Sequence, residues 1–150
     1  MTLQPESPGP LSGRRVLVIE DEYFLADDIM RALTALGARV VGPYGDLDEA
    51  AAVVDRDVAI DAAIVDINLR DQMVFPLARV LRSRKVPLVF TTGYDKSSIA
   101  PEFQDVQLWG KPLDLKAMAR ELTSLLGGGV SSLPPPPPLT AWKTPGRGWF

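Results

Sequence analysis

The chain has 150 residues, the length of a single domain with one hydrophobic core. Apolar residues make up 46% and charged residues 23%, as in an ordinary globular protein. The formal net charge is −3, and residues 128–150 contain basic but no acidic residues, so the remainder is more acidic still. We therefore expect no basic surface for direct contact with nucleic acid. No apolar run approaches the roughly 18 residues of a membrane span, and no secretory signal is visible, so we expect a cytoplasmic protein without membrane insertion.

The sequence contains neither cysteine nor histidine. Disulfide bonds, thiolate catalysis, zinc–thiolate sites and a Ser–His–Asp triad are therefore excluded. A phosphohistidine within the chain is excluded for the same reason. Polar chemistry must come from carboxylates, hydroxyl groups and lysines, together with any hard metal ion that they bind.

The two ends of the chain differ in composition from its middle. Residues 1–13 are rich in Pro, Ser and Gly and lack apolar periodicity, which predicts a flexible leader. Residues 127–150 begin with three glycines and include five consecutive prolines, which predicts a disordered tail. Aromatic residues near its end leave a docking motif open as an alternative. Residues 14–126 are expected to form the folded domain.

Short apolar runs alternate with helical patterns through residues 14–126. Several runs are apolar at consecutive positions, as expected for strands that are covered by helices on both faces. The predicted strands are Val16–Ile19, Arg39–Val41, Ala62–Val65, Leu88–Thr91 and Val106–Trp109. This alternation predicts an α/β fold in which a five-stranded parallel sheet is doubly wound by right-handed crossovers.

Apolar residues recur at helical spacing in four segments, residues 25–36, 46–55, 74–81 and 115–125. Asp46 and Glu49 have the spacing of a capping box, and Gly37 is expected to end the first helix. A helix between the last two strands would fall on residues 95–104. Pro101 interrupts a poor pattern there, so this fourth helix is expected to be short or distorted, and residues 115–125 form the fifth.

Chemically active side chains follow four of the predicted strands. In open parallel sheets, ligands bind beyond the carboxyl ends of the strands, near the point where the strand order reverses. Carboxylates that share one crevice repel each other, and Mg²⁺, which prefers oxygen ligands, relieves that repulsion. Carboxylate, Mg²⁺, hydroxyl and ammonium groups together can hold a phosphoryl group. The groups that we expect to meet are Glu20-Asp21-Glu22, Asp66, Thr91-Thr92-Gly93 and Lys111-Pro112.

Each of these residues taken alone has an ordinary structural interpretation. An acid after a strand is usually a turn residue or a helix cap, which is our expectation for Glu22, and Lys111 or Thr92 alone would be a surface group. Asp66 differs because four apolar residues precede it, and a charge that ends a buried strand requires a partner. Only the combination of residues indicates a functional site.

The four motifs in this order resemble the receiver domain of two-component response regulators, the chemotaxis-regulator-like fold. The matching segments are VLVIEDE at 16–22, IVDINL at 64–69, VFTTG at 89–93, and Lys111-Pro112. The resemblance covers about residues 14–126. It implies the flavodoxin-like strand order 2-1-3-4-5, with helices on both faces of the sheet.

The resemblance implies a Mg²⁺ site. Asp21 and Asp66 would bind the ion directly, Glu20 would help through a water molecule, and the backbone carbonyl of Asn68 would complete the protein ligands. Because only its carbonyl is used, the Asn68 side chain is expected to be replaceable without loss of the metal.

The resemblance also assigns the residues that handle the phosphoryl group. Asp66 would be the phosphoacceptor, attacking the phosphorus of a partner's phosphohistidine. Thr92 would donate a hydrogen bond to the phosphoryl group. Thr91 is the competing candidate, although a shift of one residue turns its side chain to the opposite face. Lys111 would pair first with the carboxylate and then with the phosphoryl group, and its bond to Pro112 is cis in this family.

The implied function is that of a single-domain response regulator, phosphorylated by a sensor histidine kinase or a histidine phosphotransfer protein. Such a protein is a phosphoacceptor and not an enzyme with turnover. Its output would be phosphorylation-dependent contact with a downstream protein, through the surface formed by the fourth helix, fifth strand and fifth helix.

Two features qualify the resemblance. Leu108 stands three residues before the lysine, where many receivers have the Tyr or Phe of a rotamer switch, so Leu108 would have to repack in its place. The segment Phe90–Tyr94 resembles the "FAT GUY" group of stand-alone alphaproteobacterial receivers, except that Thr91 replaces an Ala. Members of that group often act in general stress signalling with one family of histidine kinases.

Two other classes remain open. Aspartyl-nucleophile phosphatases also combine a strand-end Asp with Mg²⁺, Thr and Lys, but they usually have a second acid where this chain has Asn68. A pseudo-receiver would be a binding module with a vestigial site. The residues that argue against a vestigial site are Glu20, Asp21, Asp66, Thr92 and Lys111.

Overall fold

Five parallel strands form one sheet in a computed structural model that describes residues 9–56, 59–69, 73–93 and 99–126. The strands are β1 (Arg15–Ile19), β2 (Arg39–Tyr44), β3 (Ala62–Asp66), β4 (Leu88–Thr92) and β5 (Gln107–Gly110). Their order across the sheet is β2-β1-β3-β4-β5, and every neighbouring pair is parallel. The predicted strands are found with their ends displaced by up to three residues. The predicted fold class and strand order are confirmed.

Four α-helices lie in the described residues: α1 (Tyr23–Ala35), α2 (Leu47–Asp55), α3 (Phe75–Ser83) and α4 (Leu115–Leu125). Asp46 and Asp114 cap α2 and α4, since each carboxylate accepts hydrogen bonds from backbone N–H groups of the first turn. Glu22 is the N-cap residue of α1, although its side chain makes no capping hydrogen bond. The predicted fifth helix is therefore α4.

The sheet separates two hydrophobic cores because successive residues of a strand point to opposite faces. In β1, Leu17 and Ile19 pack on the face that α2 and α3 cover, whereas Val16 and Val18 pack on the face that α1 and α4 cover. All four side chains are fully buried. This double coverage explains why the strands are apolar at consecutive positions.

The folded domain begins earlier than the sequence predicts. Leu11 falls within the predicted flexible leader, yet its side chain is fully buried in the core shared with α1 and α4. Its N–H donates to the carbonyl of Leu36 at 2.9 Å, and the N–H of Gly13 donates to the carbonyl of Gly37 at 3.3 Å. The leader prediction is therefore wrong for residues 9–13. Its first eight residues and the predicted tail, 127–150, lie outside the described residues.

The described part of the connection between β4 and β5 contains a short 3-10 turn at Pro101–Phe103, within the range where the sequence predicts a short or distorted fourth helix. Residues 94–98 of this connection lie outside the described part of the chain. The ring of Phe103 is fully buried between Phe75 and Phe90, with a centroid distance of 5.5 Å to each. Packing of Phe103, and not helix formation, thus holds the described part of the connection against α3 and β4.

Among the described helices, none has both the length and the apolar character needed to cross a lipid bilayer.

Candidate functional site

The carboxyl edge of the sheet brings together the acidic residues that the sequence singles out. Asp66 is the last residue of β3, and Glu20 follows the last residue of the neighbouring strand β1. Glu20 is 2% exposed and Asp66 is 1% exposed. Asp21 is partly buried beside them, and one carboxylate oxygen from each of the three residues lies within 4.8 Å of the others. The structure therefore places Glu20, Asp21 and Asp66 in one cluster, as predicted.

The environment of Glu20 is unfavourable for a charge. Burial, and next the nearby charge of Asp66, raise the pKa of Glu20 from 4.5 to about 7, although the hydrogen bonds from Glu22 and Lys111 and the charge of Lys111 lower it. Oε2 accepts hydrogen bonds from the N–H of Glu22 and from Lys111 Nζ, both at 3.1 Å. Oε1 is buried without a hydrogen-bond partner. A buried carboxylate oxygen left in this state is a ligand atom suited to a cation.

Lys111 lies opposite the acidic cluster, just after β5. Its Nζ is 3.1 Å from Glu20 Oε2 and 3.1 Å from Asp66 Oδ2, and its side chain is 16% exposed. Burial lowers the pKa of Lys111, but the two carboxylates raise it by more, so the net pKa lies above the ordinary value. The peptide bond between Lys111 and Pro112 is cis, as the resemblance implies. The Lys111 ammonium group thus lies beside two of the three carboxylates of the cluster.

The turn after β3 fixes the other oxygen of Asp66. The N–H of Asn68 donates to Asp66 Oδ1 at 2.7 Å, while Lys111 binds Oδ2. The N–H of Ile67 donates to the carbonyl of Thr91 at 3.0 Å, which ties the start of this turn to β4. Both oxygens of Asp66 are therefore oriented by neighbouring donors.

Thr92 lies at the end of β4, beside the turn that follows Asp66. Its hydroxyl group donates to the side-chain oxygen of Asn68, Oδ1, at 2.9 Å. The N–H of Gly93 donates to the same oxygen at 2.7 Å. From the family resemblance, only the backbone carbonyl of Asn68 is expected to take part in the site, and its side chain is expected to be replaceable. The one available sign of a side-chain role was a polar residue two positions after Asp66.

Thr91 and Thr92 have different surroundings, as expected for adjacent residues of a strand. Thr91 is fully buried, and its hydroxyl oxygen has no hydrogen-bond partner. Thr91 lies on the same face of β4 as Val89, which belongs to the core between the sheet and helices α1 and α4. Thr92 lies on the same face as Phe90, which belongs to the opposite core, and its hydroxyl group contacts Asn68. The geometry favours Thr92 over Thr91 as the hydroxyl of the site.

Leu108 and Trp109 occupy the strand that precedes Lys111. Leu108 is 5% exposed and packs in the core with Phe90 and Phe103, whereas Trp109 is 7% exposed and packs in the other core. Trp109 therefore does not replace the missing aromatic residue, because it points to the opposite face of the sheet.

Comparisons with known proteins identify the family. No protein-family model matches the chain, and no curated protein sequence matches it. Among solved structures, it is similar to SdrG from Sphingomonas melonis Fr1, a stand-alone receiver, with 34% identity and a TM-score of 0.67 over 79% of this chain and 98% of SdrG. The BeF3-activated conformation of SdrG from Pseudomonas melonis Fr1 is 35% identical, with a TM-score of 0.62, and the match covers 75% of this chain and 95% of that one.

A response regulator receiver protein from Burkholderia phymatum shares the fold at 22% identity, with a TM-score of 0.67 over 76% of this chain and 95% of that one. The sheet order, the strand-end acidic cluster and the identity with SdrG point to the same class. The chain belongs to the receiver domains of response regulators, and hence to the proteins of two-component signalling. Membership of the FAT GUY group stays a prediction.

Proposed function

We propose that this protein is a cytoplasmic single-domain response regulator that accepts a phosphoryl group on Asp66 and signals through protein contacts. The observation that carries the proposal is the position of Lys111 Nζ, 3.1 Å from Asp66 Oδ2, in a pocket with two further carboxylates. An aspartate that is 1% exposed at a strand end, with an ammonium group beside it, suits an acceptor of phosphoryl groups.

Transfer would proceed from the phosphohistidine of a sensor histidine kinase or a histidine phosphotransfer protein. One carboxylate oxygen of Asp66 forms a bond to phosphorus as the phosphorus–nitrogen bond breaks, and the electron pair of that bond returns to the imidazole. The chain has no histidine, so the donor must be another protein or a small phosphodonor. Lys111 stays beside Asp66 and compensates the charge of the acyl phosphate.

A Mg²⁺ ion fits the donor set of the pocket. Asp21 and Asp66 would bind it directly, with Glu20 and the backbone carbonyl of Asn68 completing the protein ligands. The buried oxygen Oε1 of Glu20, which has no hydrogen-bond partner, supports this assignment. The ion would supply positive charge that offsets repulsion among the carboxylates and the phosphoryl oxygens.

Two surfaces are suited to the proposed partners. Tyr23 and Phe24, in the first turn of α1 beside the acidic cluster, are 74% and 76% exposed, and they offer an apolar contact for the phosphodonor protein. The downstream partner would bind the surface of the 3-10 turn, β5 and α4. A cavity of about 160 Å³ lies there, between the residues that follow β5 and the first turns of α4.

Phosphotransfer to an Asp66→Asn variant tests the proposal. We expect wild type to take up one phosphoryl group from phosphorylated kinase or acetyl phosphate, and Asp66→Asn to take up none because the amide is not a nucleophile of comparable strength. Intact-mass spectrometry and radiolabel retention measure the uptake. Asp105→Asn, in an exposed ion pair, is the matched control and should be phosphorylated normally.

Stable label on Asp66→Asn at the level of wild type would contradict the assignment of the acceptor. Release of many phosphates per protein from a small phosphomonoester would instead indicate a phosphatase. Wild type that takes no phosphate and binds no Mg²⁺ would indicate a vestigial site.

A further inference from the structure

The side-chain oxygen of Asn68 accepts hydrogen bonds from two donors at the end of β4. Its Oδ1 accepts from the Thr92 hydroxyl at 2.9 Å and from the Gly93 N–H at 2.7 Å. The backbone N–H of the same residue donates to Asp66 Oδ1 at 2.7 Å. One residue thus joins the proposed phosphoacceptor to the strand end that carries the site hydroxyl.

We propose that the Asn68 side chain is a latch that competes with a phosphoryl group on Asp66 for the Thr92 hydroxyl and the Gly93 N–H. The inference rests on the proposed phosphorylation of Asp66. In the unphosphorylated protein, the neutral amide oxygen holds both donors. In the phosphorylated protein, a phosphoryl oxygen takes them and the Asn68 side chain turns away.

The geometry of the turn explains why both acceptors reach the same donors. Asn68 is two residues after Asp66, and the bond between its N–H and the Asp66 carboxylate keeps the two residues in contact. A phosphoryl group on Asp66 adds acceptor oxygens next to this turn. Since the amide oxygen already reaches Thr92 and Gly93 from the turn, the donors face the region into which the phosphoryl group is built.

The phosphoryl oxygen displaces the amide oxygen of Asn68 because it is the stronger hydrogen-bond acceptor of the two. Hydrogen bonds to an anionic oxygen are roughly twice as strong as those to a neutral amide oxygen. Asn68 and Gly93 are both partly exposed, so the displaced amide can bond to water and is not left without a partner. The latch is therefore strong enough to define a resting position and weak enough to be displaced.

The latch should weaken, by a measurable factor, the binding of a phosphoryl group or of a mimic that uses the same two donors. Every ligand that uses the two donors must first displace Asn68, so removal of the amide oxygen should strengthen the binding of such a ligand. A net contribution typical of neutral hydrogen bonds corresponds to roughly 3- to 10-fold in the dissociation constant. This expectation is opposite in sign to that for a side chain that supports the phosphorylated state.

Beryllofluoride with Mg²⁺ is a suitable probe, because it gives the activated conformation of SdrG. We expect Asn68→Ala to bind it roughly 3- to 10-fold more tightly than wild type. The backbone carbonyl at position 68, a proposed metal ligand, is retained in this variant. In a Thr92→Val background the gain should shrink, because one of the two contested donors is gone. Thr91→Val, on the same strand but with no hydrogen bond to lose, is the matched control and should bind as wild type does.

A second measurement reports on the latch without any ligand. In nuclear magnetic resonance spectra of the free protein, Asn68→Ala should shift the Gly93 amide proton upfield and speed its exchange with water. The Thr91→Val control should leave that resonance unchanged. Thermal unfolding of each variant shows whether the fold is retained.

The outcomes separate the latch from the proposed function. If wild type binds beryllofluoride and Asn68→Ala binds it equally or more weakly, the latch is overturned while phosphorylation of Asp66 stands. An unchanged Gly93 resonance in folded Asn68→Ala would likewise overturn the latch alone. If wild type binds no beryllofluoride in the presence of Mg²⁺, the proposed function fails, and the latch fails with it.

Discussion

Two groups of ion pairs among the described residues have contrasting surroundings. At the site, Lys111 pairs with Glu20 and Asp66, whose side chains are each 1% exposed. Between α3 and the connection that precedes β5, Arg79 pairs with Glu102 and Arg82 pairs with Asp105, with all four side chains at least 40% exposed. Within the described residues, the site also brings a third carboxylate, that of Asp21, within 4.8 Å of the other two, whereas the exposed pairs match one cation to one anion.

The two regions therefore differ in what they contribute to stability and to function. Buried charges are costly and persist where they are paired or bind an ion, so the site is maintained at the expense of stability. The exposed pairs are screened by water, and the segment that they border is held mainly by Phe103, whose ring lies under Arg82 and between Phe75 and Phe90. Substitutions in the two regions should therefore affect different measurements.

The largest loss of stability is expected from Phe103→Ala. Removal of this fully buried ring leaves a cavity between α3 and β4, and the free energy of unfolding should fall by about 4 kcal/mol. Mg²⁺ binding should be retained, because the ring of Phe103 packs against those of Phe75 and Phe90, which supply no ligand to the ion. Urea unfolding and a Mg²⁺ titration measure the two quantities. Arg79→Met, which removes an exposed pair and keeps most of the aliphatic stem, is the control and should unfold nearly as wild type does.

A loss of Mg²⁺ affinity in folded Phe103→Ala would show that the two regions are coupled. A large loss of stability in Arg79→Met would show that the exposed pairs, and not the rings, hold the connection.

A smaller loss of stability, which depends on the buried carboxylates of the site, is expected from Lys111→Met. Without Mg²⁺, the variant removes the ammonium group that lies beside the buried carboxylates of Glu20 and Asp66, and the free energy of unfolding should fall by about 3 kcal/mol near neutral pH. Asp66→Asn, which removes one of the repelling charges, should keep or raise stability. Urea unfolding in the presence of a chelator compares the variants. Equal destabilisation by both substitutions would mean that the pair, and not the excess of negative charge, decides stability.

Much of the site could be predicted from the sequence because it follows from strand order. Glu20, Asp66 and Lys111 are far apart in the chain, but each follows an apolar run, and parallel strands bring their carboxyl ends to one edge. The family resemblance assigned Thr92, and the two-residue period of a strand, which the structure shows at that position, separated it from Thr91. These are regular features of a sheet, so the pattern of residue types along the chain was sufficient to predict them.

Features that depend on irregular backbone could not be predicted in this way. The burial of Leu11 depends on contact with the end of α1, and a single leucine among prolines and glycines has no periodicity that would indicate it. β2 continues through Pro43 to Tyr44, beyond the predicted end at Val41, because an edge strand tolerates a residue without an N–H. The contact of the Asn68 side chain with Thr92 likewise depends on the shape of a turn and not on a repeat.

The smallest expected effect is a pH dependence of the response to Mg²⁺. Because the pKa of Glu20 is raised from 4.5 to about 7, the folded Mg²⁺-free protein holds a proton there that the unfolded chain loses. Stability of the Mg²⁺-free protein should therefore fall as pH rises through this window, and the full cost is present above about pH 7. Mg²⁺ offsets that cost only when Glu20 is ionised. The rise in Tm on addition of Mg²⁺ should be several degrees larger near pH 8 than near pH 6, as measured by differential scanning fluorimetry.

In Glu20→Gln, which keeps Asp21 and Asp66, the difference between the two pH values should be much smaller. An equal rise at both pH values in wild type would show that ionisation of Glu20 does not contribute to Mg²⁺ binding, and would leave Asp21 and Asp66 as the carboxylates that bind the ion.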